Sequence, residues 1–434
     1  GMLVTTVLPV AADDNDWSKF NTPTDAKQLP NDIVASGLLT QGADGNLFAY
    51  VENGDGHNLA ISDDGGKTWT MVGVDSAITA IAAAPDDADV VYIALGLDLL
   101  KSTDGGATFD LMASVPTDGS DDPSNIVAMD VAMAGGSYKV VAGADNGEVY
   151  FMDEASFFYT FETIGTPSFD VSEDFLTVID VKLSPDFAAD KGVVVLAEDA
   201  SNNAYISFNV NGGAWGSSVD PVTIAGTVTD GAISLPSDFN IVDNPLFYVG
   251  LNGATDGGIF RVLGSSTTTN APVLPTSPAD NVVSLDVFGT FANCALTAGT
   301  ADGNVFTSVD SGATWTPGGN LTGAGDTQVA FDPAFDDNGT VYALQSATFG
   351  PNDESNFSVS MDQGANFAQI SLINSAITNI DDMAFADNGD KYMVTGASGA
   401  GTGDAFTLTG TTLVDSTTWD KIFVNTKSAR VCSH

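Results

Sequence analysis

One eight-residue pattern recurs along the chain and constrains its fold more than any other feature. The pattern is Ser-x-Asp-x-Gly-x-Thr-aromatic, and its fourth copy has Asn in place of Thr. A turn sequence that returns at intervals reports a supersecondary unit that is itself repeated. The chain is therefore predicted to contain many copies of one small unit. We call each copy a box, and the defining residues of the four boxes are Ser62, Asp64, Gly66 and Trp69; Ser102, Asp104, Gly106 and Phe109; Ser308, Asp310, Gly312 and Trp315; and Ser360, Asp362, Gly364 and Phe367.

The same order of short segments surrounds each box. An apolar run comes first, then a loop rich in Gly, Asp and Asn, a second apolar run, a polar run, the box and an aromatic-led run. Runs of four or five β-branched residues bounded by Gly, Pro and Asp indicate strands. The first runs begin 45 to 53 residues apart, at positions 32, 78, 126, 178, 231, 282, 327 and 377. Four strands in about 50 residues, repeated without a helical interruption, predict the blades of one β-propeller.

The number of blades depends on how the ring closes. Eight units favour eight four-stranded blades. Residues 16–20, Asp-Trp-Ser-Lys-Phe, resemble residues 418–423, Thr-Trp-Asp-Lys-Ile-Phe, and both have the form of a fourth strand. If one unit were irregular, the N-terminal copy would complete a seven-bladed ring. The predicted fold class is thus all-β, a single propeller of about eight blades with seven as the alternative, over residues 17–425.

The box resembles the Asp-box, or BNR repeat, of sialidase-like, sortilin-like and xyloglucanase-like β-propellers, and through its period the resemblance covers residues 30–425. In that family the box lies in the turn between the third and fourth strands of a blade, away from the axial face that usually binds substrate. The resemblance therefore implies that the box residues are structural. Their chemistry agrees, because Ser and Asp side chains bond turn amides, Gly adopts positive φ and the aromatic ring anchors the hairpin.

The net charge of the chain limits the classes of molecule that it can bind. The formal net charge is −45, with 50 Asp, 7 Glu and only 12 Lys and Arg residues. Such a surface repels a phosphate backbone and anionic lipid, which excludes nucleic acid as a partner. No stretch reaches the ~20 apolar residues that a membrane span requires. No cofactor is required, but Ca²⁺ is a possible ligand of the acidic loops at 13–16, 118–122 and 336–339; the alternative for these loops is a solvated turn.

The sequence offers no catalytic set, and we expect no enzyme activity. A sialidase needs three arginines to clamp a carboxylate, but only Arg261 and Arg430 are present. His57 and His434 are the only histidines, and neither lies near a Gly-x-Ser-x-Gly motif or a reactive cysteine. The alternative is a carbohydrate-binding or glycoside-cleaving propeller with two aspartates about 5–10 Å apart. The tryptophans argue against this carbohydrate alternative, because they lie in boxes or predicted fourth strands and none is left to stack on a sugar ring.

The first 16 residues form a separate N-terminal extension. Its apolar positions are Leu3, Val4, Val7, Leu8 and Val10. A Val/Thr/Leu run favours a strand over a helix. We interpret the extension as a strand lent to an open sheet edge of a neighbouring copy; a retained signal remnant or an expression artefact are the alternatives. This interpretation predicts a secreted structural protein that assembles with copies of itself into an extracellular filament or surface layer.

Two further features agree with an extracellular location. Cys432, in the C-terminal tail of residues 426–434, is a possible disulfide partner of Cys294, within one chain or between chains. Three glycosylation sequons also cluster within two units, where glycans would decorate one side of the ring. The acceptor residues of these sequons are Asn320, Asn338 and Asn356.

Overall fold

The structure of this protein is a computed structural model that describes the chain between residues 33 and 424, with gaps. The N-terminal extension and the C-terminal tail, including Leu3, Val4, Val7, Leu8, Val10 and Cys432, lie outside the described residues. The described ranges are 33–53, 56–63, 69–117, 122–157, 159–163, 175–199, 201, 203–210, 215, 222–224, 228–253, 257–263, 281–321, 325–346, 355–373, 379–385, 391–396, 404–408 and 420–424.

The described residues form eight sheets, numbered here in chain order. Sheet 1 contains β1 (Ile33–Gln41), β2 (Leu47–Asn53), β3 (Gly56–Ser62) and β4 (Thr70–Val74). Sheet 2 contains β5 (Ile78–Ala83), β6 (Val91–Leu95), β7 (Asp98–Ser102) and β8 (Asp110–Ser114). Sheet 3 contains β9 (Ile126–Ala134), β10 (Ser137–Ala144), β11 (Val149–Asp153) and β12 (Glu162–Thr163). Sheet 4 contains β13 (Phe175–Leu183), β14 (Gly192–Asp199), β15 (Ala204–Val210) and β16 (Val222–Ile224).

The second half of the chain continues the series. Sheet 5 contains β17 (Val228–Ser234), β18 (Leu246–Gly253) and β19 (Gly258–Leu263). Sheet 6 contains β20 (Val282–Thr290), β21 (Asn293–Thr300), β22 (Val305–Ser308) and β23 (Thr316–Pro317). Sheet 7 contains β24 (Thr327–Phe331), β25 (Val341–Gln345), β26 (Ser355–Ser360) and β27 (Ala368–Ile373). Sheet 8 contains β28 (Asn379–Phe385), β29 (Lys391–Gly396), β30 (Asp404–Leu408) and β31 (Asp420–Val424).

The sheets share one plan, and the predicted all-β class is confirmed. Strands that follow one another in the chain pair antiparallel, so each sheet is a meander. The helices that the structure describes are single turns, a 3-10 helix (Ala43–Gly45), α1 (Phe187–Asp190) and α2 (Phe335–Asn338). None of these described helices is long or apolar enough to cross a bilayer.

The first strands of the sheets contact one another in a cyclic order. β1 contacts β5, and the series continues through β9, β13, β17, β20 and β24 to β28. The last of these, β28, also contacts β1. The first strands therefore surround a common centre, and the later strands of each sheet lie progressively farther from it.

Apolar cores lie between neighbouring sheets, and β10 shows how one strand serves two of them. Val140 packs with Tyr92 of sheet 2, whereas the adjacent Val141 packs with Val195 of sheet 4. Successive side chains of a strand point to opposite faces, so a continuous apolar run is what a sheet buried on both faces requires. Each fully buried aliphatic side chain stabilises the fold by about 1.5–3 kcal/mol.

A buried ion pair also connects sheets 2 and 3. Lys101 of β7 lies 2.7 Å from a carboxylate oxygen of Glu154, which follows β11, and each side chain is only 12% exposed. Tyr92 donates a hydrogen bond to the same carboxylate over 2.7 Å. The Lys101 ammonium also lies 4.8 Å from the ring centre of Tyr138. Burial, followed by the bond to Glu154, raises the pKa of Tyr92. Glu154 thus accepts hydrogen bonds from Lys101 and Tyr92, and Lys101 also contacts the Tyr138 ring. These contacts offset the cost of removing the two charges from water.

Candidate functional site

The three boxes that the structure describes in full form the same turn. Those that begin at Ser102, Ser308 and Ser360 each start at the last residue of the third strand of a sheet and lead into the fourth. In each box the aspartate accepts hydrogen bonds from the backbone and the side chain of the Thr or Asn four residues later. For Asp104 the two distances are 2.9 Å from the Thr108 nitrogen and 2.6 Å from Thr108 Oγ1. The carboxylate therefore closes its own turn.

The box serine makes a second set of contacts in the same turn. Ser102 Oγ donates to Asp104 Oδ1 over 2.7 Å and accepts from the Gly106 nitrogen over 2.8 Å. Ser308 and Ser360 make equivalent contacts, and all three serines are buried. A buried backbone N–H without a partner is costly, so a short hydroxyl at this position stabilises the turn.

These hydrogen bonds keep the box carboxylates ionised. The Thr108 side chain, helped by the Thr108 backbone and Ser102, lowers the pKa of Asp104 to about 2. The Asn366 side chain likewise lowers the pKa of Asp362. For Asp310, burial acts to raise the pKa, but the hydrogen bonds from its own turn outweigh burial and lower it. Each box carboxylate is thus engaged by donors of its own turn.

The box glycine lies where two sheets approach closely. Gly106, Gly312 and Gly364 have φ values of 87°, 80° and 83°. A Cβ on Gly364 would lie 2.1 Å from Thr307 Oγ1, in the third strand of the preceding sheet. A Cβ on Gly106 would lie 2.7 Å from the Ile61 side chain, again in the preceding sheet. Glycine is therefore required both for the backbone conformation and for the contact between sheets.

The other turns of this type are described in part or differ from the pattern. In the first box, Asp64 and Gly66 lie outside the described residues, whereas Ser62 and Trp69 are buried. Sheet 3 has no box serine. Its Asp153 accepts from the Ala155 nitrogen over 2.7 Å and pairs with Lys139 across the strands. A lysine thus takes over part of the role that the serine has elsewhere.

A second set of carboxylates joins the first strands of neighbouring sheets. Asp130 Oδ2 in β9 accepts a hydrogen bond from the Leu183 nitrogen in β13 over 2.7 Å. Asp180 connects sheet 4 to sheet 5, and Asp286 connects sheet 6 to sheet 7, each over 2.9 Å to a backbone nitrogen. The described first strands are not joined to one another by a backbone ladder, so a side chain supplies the polar contact.

Bulges in the first strands aim these side chains at the next sheet. The register of β13 against β14 shifts between Val178 and Asp180. The register of β20 against β21 shifts between Val282 and Ser284. Ser284 Oγ then accepts from the Val329 nitrogen of sheet 7 over 3.1 Å. An extra residue on one strand re-aims the side chain that follows, which is the usual effect of a bulge.

Asp130, Asp180 and Lys182 form a cluster in which Asp180 is buried, Asp130 and Lys182 are partly exposed, and the pKa values of both carboxyl groups are raised. Lys182 Nζ lies 3.7 Å from Asp180 Oδ1. Burial raises the pKa of Asp180 to about 6, an effect that Lys182 opposes and the Asp130 charge reinforces. Burial also raises the pKa of Asp130, again against the effect of Lys182. Perturbed titratable groups mark candidate functional positions, but both carboxylates here accept backbone donors from a neighbouring sheet.

Asp130, Asp180 and Asp286 were not among the residues predicted from the sequence. Each ends or interrupts a first apolar run, so an aspartate at a matching position in successive runs was an available signal. The signal was ambiguous because aspartates are rarely buried and abound in this chain. An Asp within an apolar run is more readily interpreted as the solvent end of a strand.

The loops between first and second strands add contacts near the box turns. Asp190 Oδ2, at the end of α1, accepts from Ser184 Oγ over 2.7 Å and from the Ile241 nitrogen of sheet 5 over 2.8 Å. Asp238 Oδ1 accepts from the Phe291 nitrogen of sheet 6 over 2.5 Å. Consecutive sheets are therefore joined by carboxylates at this end as well as along their first strands.

The cysteine predicted to form a disulfide is buried. Cys294 is 1% exposed, and its sulfur lies 3.4 Å from Tyr248 Oη and 3.4 Å from Ser311 Oγ. Its predicted partner, Cys432, lies outside the described residues. The pairing stays a prediction, and forming it would require the tail to reach the interior beneath the third box.

The three predicted glycosylation positions differ in exposure. Asn356 in β26 is 1% exposed and its Oδ1 accepts a hydrogen bond from Ser358, so glycosylation there stays a prediction that the burial of this residue opposes. Asn320 and Asn338 are exposed. Asn338 Nδ2 donates to Asp332 Oδ1 over 2.9 Å, a bond that a glycan would replace. Glycosylation at Asn320 and Asn338 stays a prediction.

The predicted Ca²⁺ loops do not form a metal site within the part of the chain that the structure describes. No group of three or more His, Cys, Asp or Glu side chains is gathered there to hold a metal ion. Residues 336–339 form part of α2 and its cap, and Asp336 and Asp337 are exposed. The loops at 13–16 and 118–121 lie outside the described residues, so Ca²⁺ binding there stays a prediction.

Comparison with known proteins identifies the fold. The sequence matches no protein-family model and no curated protein. The dihydro-heme d1 dehydrogenase NirN is similar in structure, with a TM-score of 0.55, 14% identity, and coverage of 92% of this chain and 77% of that chain. YCF48 from Cyanidioschyzon merolae has a TM-score of 0.42 at 15% identity, covering 79% and 95%. A GH74 xyloglucanase from Xanthomonas campestris has 0.45 at 14%, covering 84% and 58%. These neighbours are β-propellers, and the likeness to NirN assigns a propeller fold to this chain.

Replacing the box glycine Gly364 with alanine should destabilise the protein more than its backbone conformation alone requires. We expect Gly364→Ala to lower the free energy of unfolding by about 2–4 kcal/mol, because positive φ and the contact with Thr307 both oppose a methyl group. The matched control is Gly136→Ala, with φ of 82° and open space around its Cβ position, which should cost about 1 kcal/mol. Urea unfolding measures both, and equal losses would show that the contact between sheets is unimportant.

Asp180 should make stability depend on pH. Its folded pKa of about 6 exceeds the ordinary aspartate value, so its contribution to stability is fully present below about pH 4 and is lost as the pH rises through about 6. We expect wild-type protein to gain on the order of 1–3 kcal/mol relative to Asp180→Asn between pH 7 and pH 4. Unfolding of both proteins across this range measures the difference, which a constant offset would contradict.

Proposed function

We propose that this chain is a secreted structural protein, an eight-bladed Asp-box propeller that assembles with copies of itself into an extracellular filament or surface layer. The N-terminal extension is the assembly element. The propeller is a rigid body that carries the extension and receives that of another copy. No enzyme activity is part of this proposal.

The observation that carries the proposal is the use of the polar interior. The perturbed carboxylates Asp130 and Asp180 accept backbone donors from neighbouring sheets, and Lys101 and Glu154 pair across two sheets. Groups of this kind often serve catalysis. In this protein each of these groups bonds to a residue of a neighbouring sheet. Such contacts stabilise the propeller, as a structural role requires.

Eight blades fit the described sheets. The sheets number eight, their first strands contact cyclically, and β28 meets β1. A ring of eight does not need residues 17–20 to complete a blade. The segment before β1 is then available for contacts outside the ring, which is what assembly through the extension requires.

The net charge of the chain determines which kind of contact can hold two copies together. With a net charge of −45, two propellers repel one another at low ionic strength. Salt or divalent cations weaken this repulsion. An apolar strand that adds to a sheet edge gains backbone hydrogen bonds and buried surface without requiring opposite charges. Assembly through residues 1–16 is therefore compatible with a strongly acidic surface.

Charged substitutions in the extension should abolish assembly. We expect wild-type protein to form large species and the full-length Val7→Asp, Leu8→Asp variant to be monomeric, because a carboxylate cannot enter an apolar interface. The matched control is Ala11→Asp with Ala12→Asp, which adds the same charge to the extension outside its apolar run of residues 3–10. Sedimentation and electron microscopy measure the outcome. A monomeric wild-type protein, or equal loss in both variants, would contradict the proposal.

A second candidate is a carbohydrate-binding or glycoside-cleaving propeller. Phe157 is 91% exposed and Tyr159 is 47% exposed, both on the turn after β11, and exposed aromatic rings can stack on sugars. In sheets 6 and 7, burial and the nearby Asp302 charge raise the pKa of Asp326. Phe157 and Tyr159 lie in sheet 3, away from Asp302 and Asp326. The two aromatic rings therefore support carbohydrate binding but not glycoside cleavage.

Titration with soluble β-glucan oligosaccharides tests this second candidate. If it is correct, calorimetry detects binding to wild-type protein, and Phe157→Ala lowers the affinity at least about tenfold because one stacking platform is lost. Leu111→Ala, a substitution of an exposed residue in sheet 2, is the control and should leave the affinity unchanged. The second candidate fails if the wild-type protein shows no heat of binding.

A further inference from the structure

The propeller has two different ends, and one of them carries the box turns. Each sheet is an antiparallel meander, so the loop between its first and second strands and the turn between its third and fourth strands lie at the same end. In sheet 7 the Gln363 nitrogen of the box turn donates to the Gly339 oxygen of the first loop over 2.9 Å. Loops of neighbouring sheets also meet at this end, where Asn240 Nδ2 donates to Asp186 Oδ2. We call it the box end.

Exposed large apolar side chains are concentrated at the box end. The described part of the chain has seven of them. Each lies in a first-to-second loop, in a third-to-fourth turn, or within two residues of one, and together they belong to sheets 2, 3, 5, 6 and 7. The seven residues are Leu111, Met133, Phe157, Tyr159, Val242, Val309 and Met361. A single exposed apolar residue is ordinary on a protein surface, but their restriction to one end of a ring favours a contact surface there.

The box end also carries exposed carboxylates. Asp310 and Asp362 of the boxes are exposed, as are Asp336 and Asp337 of α2. A surface that covers this end gains affinity from apolar side chains and from cationic groups, whereas a second acidic surface would be repelled. The chemistry of the partner is thereby restricted.

Both termini of the chain are attached at the opposite end of the propeller. First strands run toward the box end and fourth strands run away from it, so β1 begins and β31 finishes at the opposite end. We call this the terminal end. Residues 1–12 contain the apolar run and no charged side chain. Residues 426–434 contain Lys427 and Arg430 but no Asp or Glu. The segments attached at the terminal end therefore complement the box end in apolarity and in charge.

We propose that the box end of one copy binds the terminal end of the next, so that subunits add in one direction along the ring axis. The inference rests on the proposed self-assembly and names the two surfaces that meet. Contact between two different surfaces is heterologous, and it continues as an open filament when it does not close a ring. Contact between two box ends would instead stop at a dimer and would bring exposed carboxylates face to face.

Two full-length variants, each with one altered end, test this arrangement. The box-end variant is Val309→Asp with Met361→Asp. Both residues occupy the second position of a box, where the other two boxes have Asp63 and Thr103, so a polar side chain is compatible with the turn. Its urea unfolding midpoint should equal that of the wild-type protein. Val242→Asp, in a loop of sheet 5, is an independent box-end variant that replaces it if it does not fold.

The terminal-end variant is Val7→Asp with Leu8→Asp. We expect each variant alone to be monomeric, because a carboxylate cannot enter an apolar interface. An equimolar mixture should form a dimer of twice the monomer mass and nothing larger, because each variant contributes its one intact end. Sedimentation velocity measures these masses. The matched control is the quadruple variant with both pairs of substitutions, which should form no dimer with either partner.

Three results would overturn the inference. The first is a box-end variant that assembles as the wild-type protein does. The second is a mixture that stays monomeric, which would show that the two ends do not meet. The third is a dimer of the terminal-end variant alone, which would show that box ends pair with each other. If wild-type protein assembles in any of these cases, self-assembly stands and only the arrangement fails. If wild-type protein is monomeric, the proposed function itself fails.

Discussion

Face-to-face packing between neighbouring sheets is the interaction on which the rest of this structure depends. Sheet 3 is apolar on both faces, as the adjacent residues Val140 and Val141 of β10 show by entering two different cores. A small meander cannot bury two faces by itself. Only a closed series gives every face a partner, and the cyclic contacts of the first strands meet this condition.

Side-chain carboxylates supply many of the polar contacts between sheets, because the strand ladders run within the sheets. Backbone hydrogen bonds between sheets, such as that from the Ile126 nitrogen to the Gly96 oxygen, occur in the connecting turns and at strand ends. Aspartate side chains supply the carboxylate contacts along the first strands and in the loops that follow them. Asp130 and Asp180 reach backbone donors of the next first strand, and Asp190 reaches the next loop. Gly106 and Gly364 also bring sheets together, since the absence of a Cβ lets each turn approach the preceding sheet. Register between sheets is thus set by a few polar atoms placed around an apolar interior.

The pKa values of the aspartates in this protein shift in opposite directions, depending on their surroundings. Exposed box aspartates accept several hydrogen bonds, which lowers the pKa of Asp104 to about 2. The buried Asp180 has one nearby cation and a neighbouring carboxylate, and burial raises its pKa to about 6. The difference follows from solvation and donor count rather than from residue identity. A composition rich in aspartate therefore does not by itself predict how the protein responds to pH.

The sequence by itself determined the all-β class, the repeated unit and the turn chemistry of the boxes. These are local properties, since a strand's period and a turn's hydrogen bonds depend on residues within a few positions of one another. Tertiary structure alone decided that Asp130 and Asp180 join sheets and that Asn356 is buried. Each depends on groups about 50 residues or more away in the chain or on another sheet, and burial there arises only when neighbouring faces meet.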